Sequence, residues 1–102
     1  MNIDIKGKDL ILLYEKGVSK KLKLPPDVID KFFACIQKID SAITIHDLWK
    51  DASLHFKKLK GKTNRYSMRL TIKWRLEMEI DWDNDEQKIG KFNIIEISNH
   101  YD

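Results

Sequence analysis

One cysteine, two prolines and four glycines among 102 residues close off several architectures at once. With Cys35 alone, neither an internal disulfide nor a cysteine-built zinc site is available. No apolar run approaches the roughly 18 residues of a membrane span, and no repeat or low-complexity tract interrupts the chain. The opening Met1–Lys6 lacks the basic-then-apolar order of a secretory signal, so a cytoplasmic location without membrane association is expected. Metal-ligand spacing is missing too. His46, His55 and His100 stand far apart, and the acidic stretch Asp81, Asp83, Asp85, Glu86 lacks the glycine and the bidentate glutamate of a calcium loop. There is no nucleotide-binding phosphate loop and no serine-hydrolase elbow. Neither a metal nor a cofactor is expected.

What is present suits one soluble globular domain spanning residues 1–102, with 42% apolar and 34% charged residues. The formal charge of +3 says little, but its distribution is uneven. Residues 1–54 carry nine basic and eight acidic side chains. Residues 55–75 carry eight basic side chains (Lys57, Lys58, Lys60, Lys62, Arg65, Arg69, Lys73, Arg75) and no acid. Residues 76–102 carry eight acids against Lys88 and Lys91. A run of like charges repels itself unless it faces water or an anionic partner. Three readings stand: a solvated surface neutralised by the acidic segment, a polyanion-binding surface, or a site for an acidic protein.

Periodicity gives the elements. Residues 2–5 alternate as a short edge strand. A helix is expected over roughly 8–16, stopped by Gly17, and consecutive Pro25-Pro26 separate it from the next. Val28, Ile29, Phe32, Phe33, Ile36 and Ile39 recur at helical spacing and predict an amphipathic helix over about 26–40, with Cys35 a buried thiol on it. A short helical turn follows Thr44. After Ser53 the period becomes two: a strand over Leu54–Leu59, a turn at Gly61–Asn64, and strands over 66–72 and 74–81. Tyr66, Met68, Leu70 and Ile72 are expected on the core face of one, Trp74, Leu76, Met78 and Ile80 on that of the next. An acidic loop then leads to a last strand over Lys91–Ile97. The fold class is α+β, two N-terminal helices packed on a small, mainly antiparallel sheet of four to five strands.

The alternation places Arg69, Lys73 and Arg75 on the wet face, with Lys57, Lys58 and His55 supplied by the strand before. Glu77 and Glu79 share that face, so an ordinary salt-bridged surface is the plain alternative. Cations joined by proton-transferring groups, here His55 and the pair His100-Tyr101, are what metal-independent RNA cleavage requires. One group takes the ribose 2′-OH proton, another protonates the leaving oxygen, and cations neutralise the transition state.

The elements Leu59-Lys60-Gly61, Tyr66-Ser67-Met68-Arg69-Leu70, Trp74-Arg75-Leu76 and the tail His100-Tyr101-Asp102 resemble the HigB-type killer proteins of bacterial toxin–antitoxin pairs, in the RelE/ParE superfamily. The resemblance covers about residues 54–102, and the family's closing Tyr-His is here reversed. It implies a toxin that cuts messenger RNA on the 70S ribosome without a metal and is silenced by a cognate helix-turn-helix antitoxin. Arg69 and Arg75 are the implied phosphate-holding residues. Lys57, His100 and Tyr101 complete the expected catalytic set. Lys57, Lys58, Lys60, Lys62, Arg65, Lys73 and His55 form the expected RNA-binding surface. Two other functions use the same fold: a ParE-like protein that poisons DNA gyrase, and a catalytically degenerate homologue that only binds its antitoxin.

Overall fold

A computed structural model of the chain, describing residues 1–99, runs β1 (Ile3–Ile5), α1 (Lys8–Lys16), α2 (Pro26–Ser41), α3 (His46–Trp49), one 3-10 turn (Ala52–Leu54), β2 (Lys57–Lys58), β3 (Arg65–Arg69), β4 (Trp74–Trp82) and β5 (Gly90–Asn99). Gly17 ends α1 in the left-handed conformation, its N–H donating to Leu13 O at 2.8 Å. Pro26 opens α2, where the N–H it lacks has no helical acceptor in any case. The buried positions of α2, Val28, Phe32, Cys35, Ile36 and Ile39, follow one helical face. None of the described helices is long and apolar enough to cross a membrane.

The five strands form one sheet in the order β1-β5-β4-β3-β2. It is antiparallel except for β1, which lies parallel to β5 through Ile3↔Phe92 and Ile5↔Ile94. The α+β arrangement of N-terminal helices on a mainly antiparallel sheet is therefore as expected. Helix residues Leu10, Leu13, Phe32 and Ile39 pack with Met68, Leu76, Met78, Ile80, Phe92 and Ile94, all buried, so the helices cover one sheet face and leave the other open. Gly90 starts β5 where a Cβ would stand 2.6 Å from Asp81 O and 2.9 Å from Ile80 Cγ2, so β4 and β5 close there on a residue without a side chain.

Two strand expectations need correction. Only Lys57–Lys58 of the stretch Leu54–Leu59 is strand. Leu54 closes the 3-10 turn and His55 is left-handed (φ 46°), so Leu54 and Phe56 reach the core because the chain turns over its rim, not because it is pleated. Ile72, expected in the core, is 82% exposed. Strand β3 stops at Arg69, and Leu70 and Thr71 both donate to Trp74 O (3.0 and 3.2 Å), making residues 70–73 a turn.

Candidate functional site

Register builds the open face in rows. Residues directly opposite in neighbouring strands project to the same side, which gives Arg69–Arg75–Ser98, then Lys57–Ser67–Glu77–Glu96, then Arg65–Glu79–Asn93–Asp4. The first row lies at the β3–β4 turn end. Its two arginines face each other across the strands, an arrangement that is destabilising for like charges. Burial and the charge of Arg69 both push the Arg75 guanidinium below its ordinary pKa.

Each arginine has a different set of partners. Arg75 Nη1 donates to the carbonyls of Thr71 (2.8 Å), Ile72 (3.2 Å) and Trp74 (3.2 Å), so one of its nitrogens staples the turn. Arg69 Nη1 lies 3.2 Å from His55 Nε2. A guanidinium can only donate, so this bond requires a neutral imidazole with its lone pair on Nε2 and its proton on Nδ1. The left-handed backbone at His55 aims that ring at β3. Around the pair, Arg69 Nε, Ser67 Oγ and Ser98 Oγ are buried without a hydrogen-bond partner among the described residues, Ser67 being only 1% exposed.

The acids of the face are gathered elsewhere. Arg65 reaches Glu77 (3.4 Å), Glu96 (3.5 Å) and Glu79 (3.7 Å), and its side chain is 18% exposed. Neither Arg69 nor Arg75 has an ion pair among the described residues, so the plain reading in which Arg75 pairs with a glutamate does not describe this surface.

The eight-cation run therefore divides. His55, Lys57, Arg69, Lys73 and Arg75 come together at the turn end. Arg65 sits four residues away along β3, about 13 Å at the usual strand rise, enclosed by glutamates. Lys60 and Lys62, in the turn between β2 and β3, belong to that far end. Lys58 pairs with Tyr66 and so lies on the opposite side of the sheet from Lys57. His100 and Tyr101 lie outside the described residues. The last described strand positions bring Ser98 opposite Arg75 and Asn99 opposite Trp74.

Sequence reasoning missed Ser98. Counting by two along β5 from Phe92 assigns it to the core. The register shift opposite Glu77/Met78 adds one residue, Ile95, so that Ile97 rather than Ser98 pairs with core residue Leu76. The turn carbonyls held by Arg75 also carried no sequence signal.

Described residues contain no cluster of three His, Cys, Asp or Glu side chains arranged to hold a metal ion. Burial pushes the Cys35 thiol up to about 11, so it is protonated and unreactive at neutral pH. A hollow of about 630 Å³ between α1, α2 and β1 (Tyr14, Phe33, Ile36, Asp40) is remote from the cations and has no basic residue in its lining.

No protein-family model matches the sequence, and no curated protein is similar to it. Solved structures do match over nearly the whole chain. The YoeB/ParE toxin from Agrobacterium tumefaciens superposes with a TM-score of 0.62 at 13% identity, covering 99% of this chain and 100% of the other. The YoeB dimer from Staphylococcus aureus gives 0.56 at 21% identity, covering 99% and 98%. At these identities the chain shares the fold of YoeB/ParE-type toxins.

Proposed function

We propose that this protein is a toxin of the RelE/ParE superfamily, of the HigB type, that cleaves messenger RNA on the ribosome. The observation that carries the proposal is the Arg69–Arg75 pair. Two cations are held face to face, every nearby glutamate engages Arg65 instead, and buried serine hydroxyls lie unpartnered beside them. An RNA phosphate supplies the charge that this arrangement lacks. Arginine suits the task because its planar fork matches phosphate oxygens.

The chemistry follows from the positions. When the phosphate draws the Arg69 guanidinium onto its non-bridging oxygens beside Arg75, the lone pair of His55 Nε2 is freed and takes the proton of the adjacent ribose 2′-OH. The 2′ oxygen attacks phosphorus, the bond to the 5′ oxygen breaks, and a 2′,3′-cyclic phosphate forms. The leaving oxygen needs one proton, and His100 and Tyr101, which follow Asn99 in sequence, are the groups assigned to supply it. No step needs a metal or cofactor. Lys57 and Lys73 hold flanking phosphates. Lys58, Lys60, Lys62 and Arg65 are left with at most a long-range attraction. The resemblance assigns a helix-turn-helix antitoxin as the silencing partner, and the fold shared with YoeB/ParE-type toxins supports the same reading.

The test is induced expression with primer-extension mapping of transcripts. The parent is expected to arrest growth and cut within translated frames, and Arg75→Ala to lose about two orders of magnitude of cutting, the usual effect of removing one transition-state contact. A folded Arg75→Ala that cuts like the parent would sink the assignment. Growth arrest with a DNA-damage response and intact RNA would instead indicate gyrase poisoning.

A further inference from the structure

A cavity of about 280 Å³ opens between α2 and the β3–β4 turn, immediately behind the arginine pair. Its floor is apolar: buried Cys35, Leu54 and Leu70, with exposed Ala34 at its mouth. Lys31 and Arg69 bring positive charge to its rim. Lys38, also on the wall, is already neutralised by Asp51 at 2.8 Å, whereas Lys31 has no ion pair among the described residues. The net surplus is therefore cationic, around a floor that offers no acid and whose one thiol, Cys35, is kept protonated by burial.

We propose that this cavity seats a single nucleobase of the RNA strand whose phosphate rests on Arg69 and Arg75. The inference rests on the RNA-cleaving reading and extends it to substrate selection. Arg69 is common to both places: it stands in the open-face row opposite Arg75 and also lines the cavity. A strand whose phosphate rests on its guanidinium therefore runs beside the wall of the cavity. Small-molecule sites usually span roughly 300–1,000 Å³, so this volume suits one base and not a larger ligand. Single-stranded RNA is read in this way, by bases turned out of the stack into side-chain pockets.

The turn side of the cavity is held in shape by the catalytic candidate itself. The carbonyls of Thr71 and Ile72, two of the lining residues, are bound by Arg75 Nη1. The Thr71 hydroxyl has no hydrogen bond among the described residues and is the group available to distinguish one base edge from another. The other hollows lack this charge. The one beside α3, about 590 Å³, has Asp47 and Asp51 against Lys38 in its lining and is acidic on balance.

Methyl-labelled protein titrated with uridine 3′-monophosphate, adenosine 3′-monophosphate and inorganic phosphate tests the seat. Both nucleotides should shift the Leu54 and Leu70 methyl resonances, and phosphate alone should not. Ala34→Trp, which fills the cavity from an exposed helix position, should weaken nucleotide binding at least tenfold and leave phosphate binding unchanged. Unmoved methyls, or an Ala34→Trp protein that binds nucleotide like the parent, would overturn the seat. On transcripts, Ala34→Trp should still cut but lose base preference beside the scissile phosphate. An unchanged cutting pattern together with lost mononucleotide binding would assign the cavity to a free nucleotide and overturn its role in RNA. If the parent cuts no RNA, the functional reading fails, and the titration decides the cavity by itself.

Discussion

Two demands meet on Arg75. One nitrogen organises the turn, and the rest of the guanidinium shares the open face with Arg69. Its alanine variant therefore loses both a staple and a charge, and the facing residue separates the two roles. Arg69→Met keeps the apolar stem and removes a like charge from directly opposite Arg75. Stability should stay level or rise by about 0.2–1 kcal/mol, the size of a cross-strand pair term. Cutting should nevertheless fall about 100-fold, since a phosphate contact is gone. Denaturant unfolding and transcript mapping on the same preparation check this. A variant that is both destabilised and active would mean that the pair is structural. Tolerating mutual repulsion at a site that binds an anion is the usual compromise between activity and stability.

At the scale of elements, the closing of β4 onto β5 depends on Gly90. Gly90→Ala puts a methyl 2.6 Å from Asp81 O, a backbone atom that cannot swing aside, so the strands must part. Thermal or denaturant unfolding should show a loss of about 1–3 kcal/mol, as overpacking does. Both long helices, the acidic β4–β5 loop and the faces of β3 and β4 were legible in the sequence because period and capping residues agree there. The places where legibility failed have physical causes. The 3-10 turn before β2 buries Leu54 and Phe56 at a spacing of two without being a strand. The β3–β4 turn contains no glycine to mark it, because Arg75 supplies from a distance the hydrogen bonds that hold it. The parity of β5 changes at Ile95, and no local signal announces a bulge. Of the expected site, Arg69, Arg75 and Lys57 could be placed together from alternation, whereas His55 and Lys73 come to the same end from turns that alternation does not describe. The capture of Arg65 by three glutamates could not, since Glu96 meets it only through the register of β5.

Across the whole molecule the open face is a dipole. Cations without ion pairs among the described residues occupy the β3–β4 turn end, while in the middle and far end Arg65 and Lys91 stand paired among Glu77, Glu79, Glu96 and Asp81. A polyanion is held most strongly where the cations lack counter-charges, which favours one end of the face before any base is read. If Lys57, Arg69, Lys73 and Arg75 each neutralise one phosphate, log affinity for single-stranded RNA should fall against log salt with a slope of about −3, from roughly −0.7 per contact. Fluorescence anisotropy over a salt series measures it. Arg69→Met should flatten the slope by about 0.7, whereas Lys62→Ala should leave it unchanged. A slope equally sensitive to both would mean that the far-end lysines contact the strand as well.

The parallel pairing of β1 with β5 sets the order in which the protein can assemble. Lys6 N–H donates to Ile94 O and Phe92 N–H to Asn2 O, so the first strand finds its only ladder partner in one synthesised much later, although the Met1 amine already reaches the end of α2. Because β5 lies between β1 and β4, its arrival completes the ladders of both neighbours, and this long-range closure precedes any reward from the contacts it makes. Until then β4 has a bare edge, and Ser98 has not yet come to face Arg75. During translation the basic segment leaves the exit tunnel as a string of separate charges. It becomes one shaped cationic surface only when β5 settles into its gap, so that surface belongs to the finished fold and not to the segment that supplies its charges.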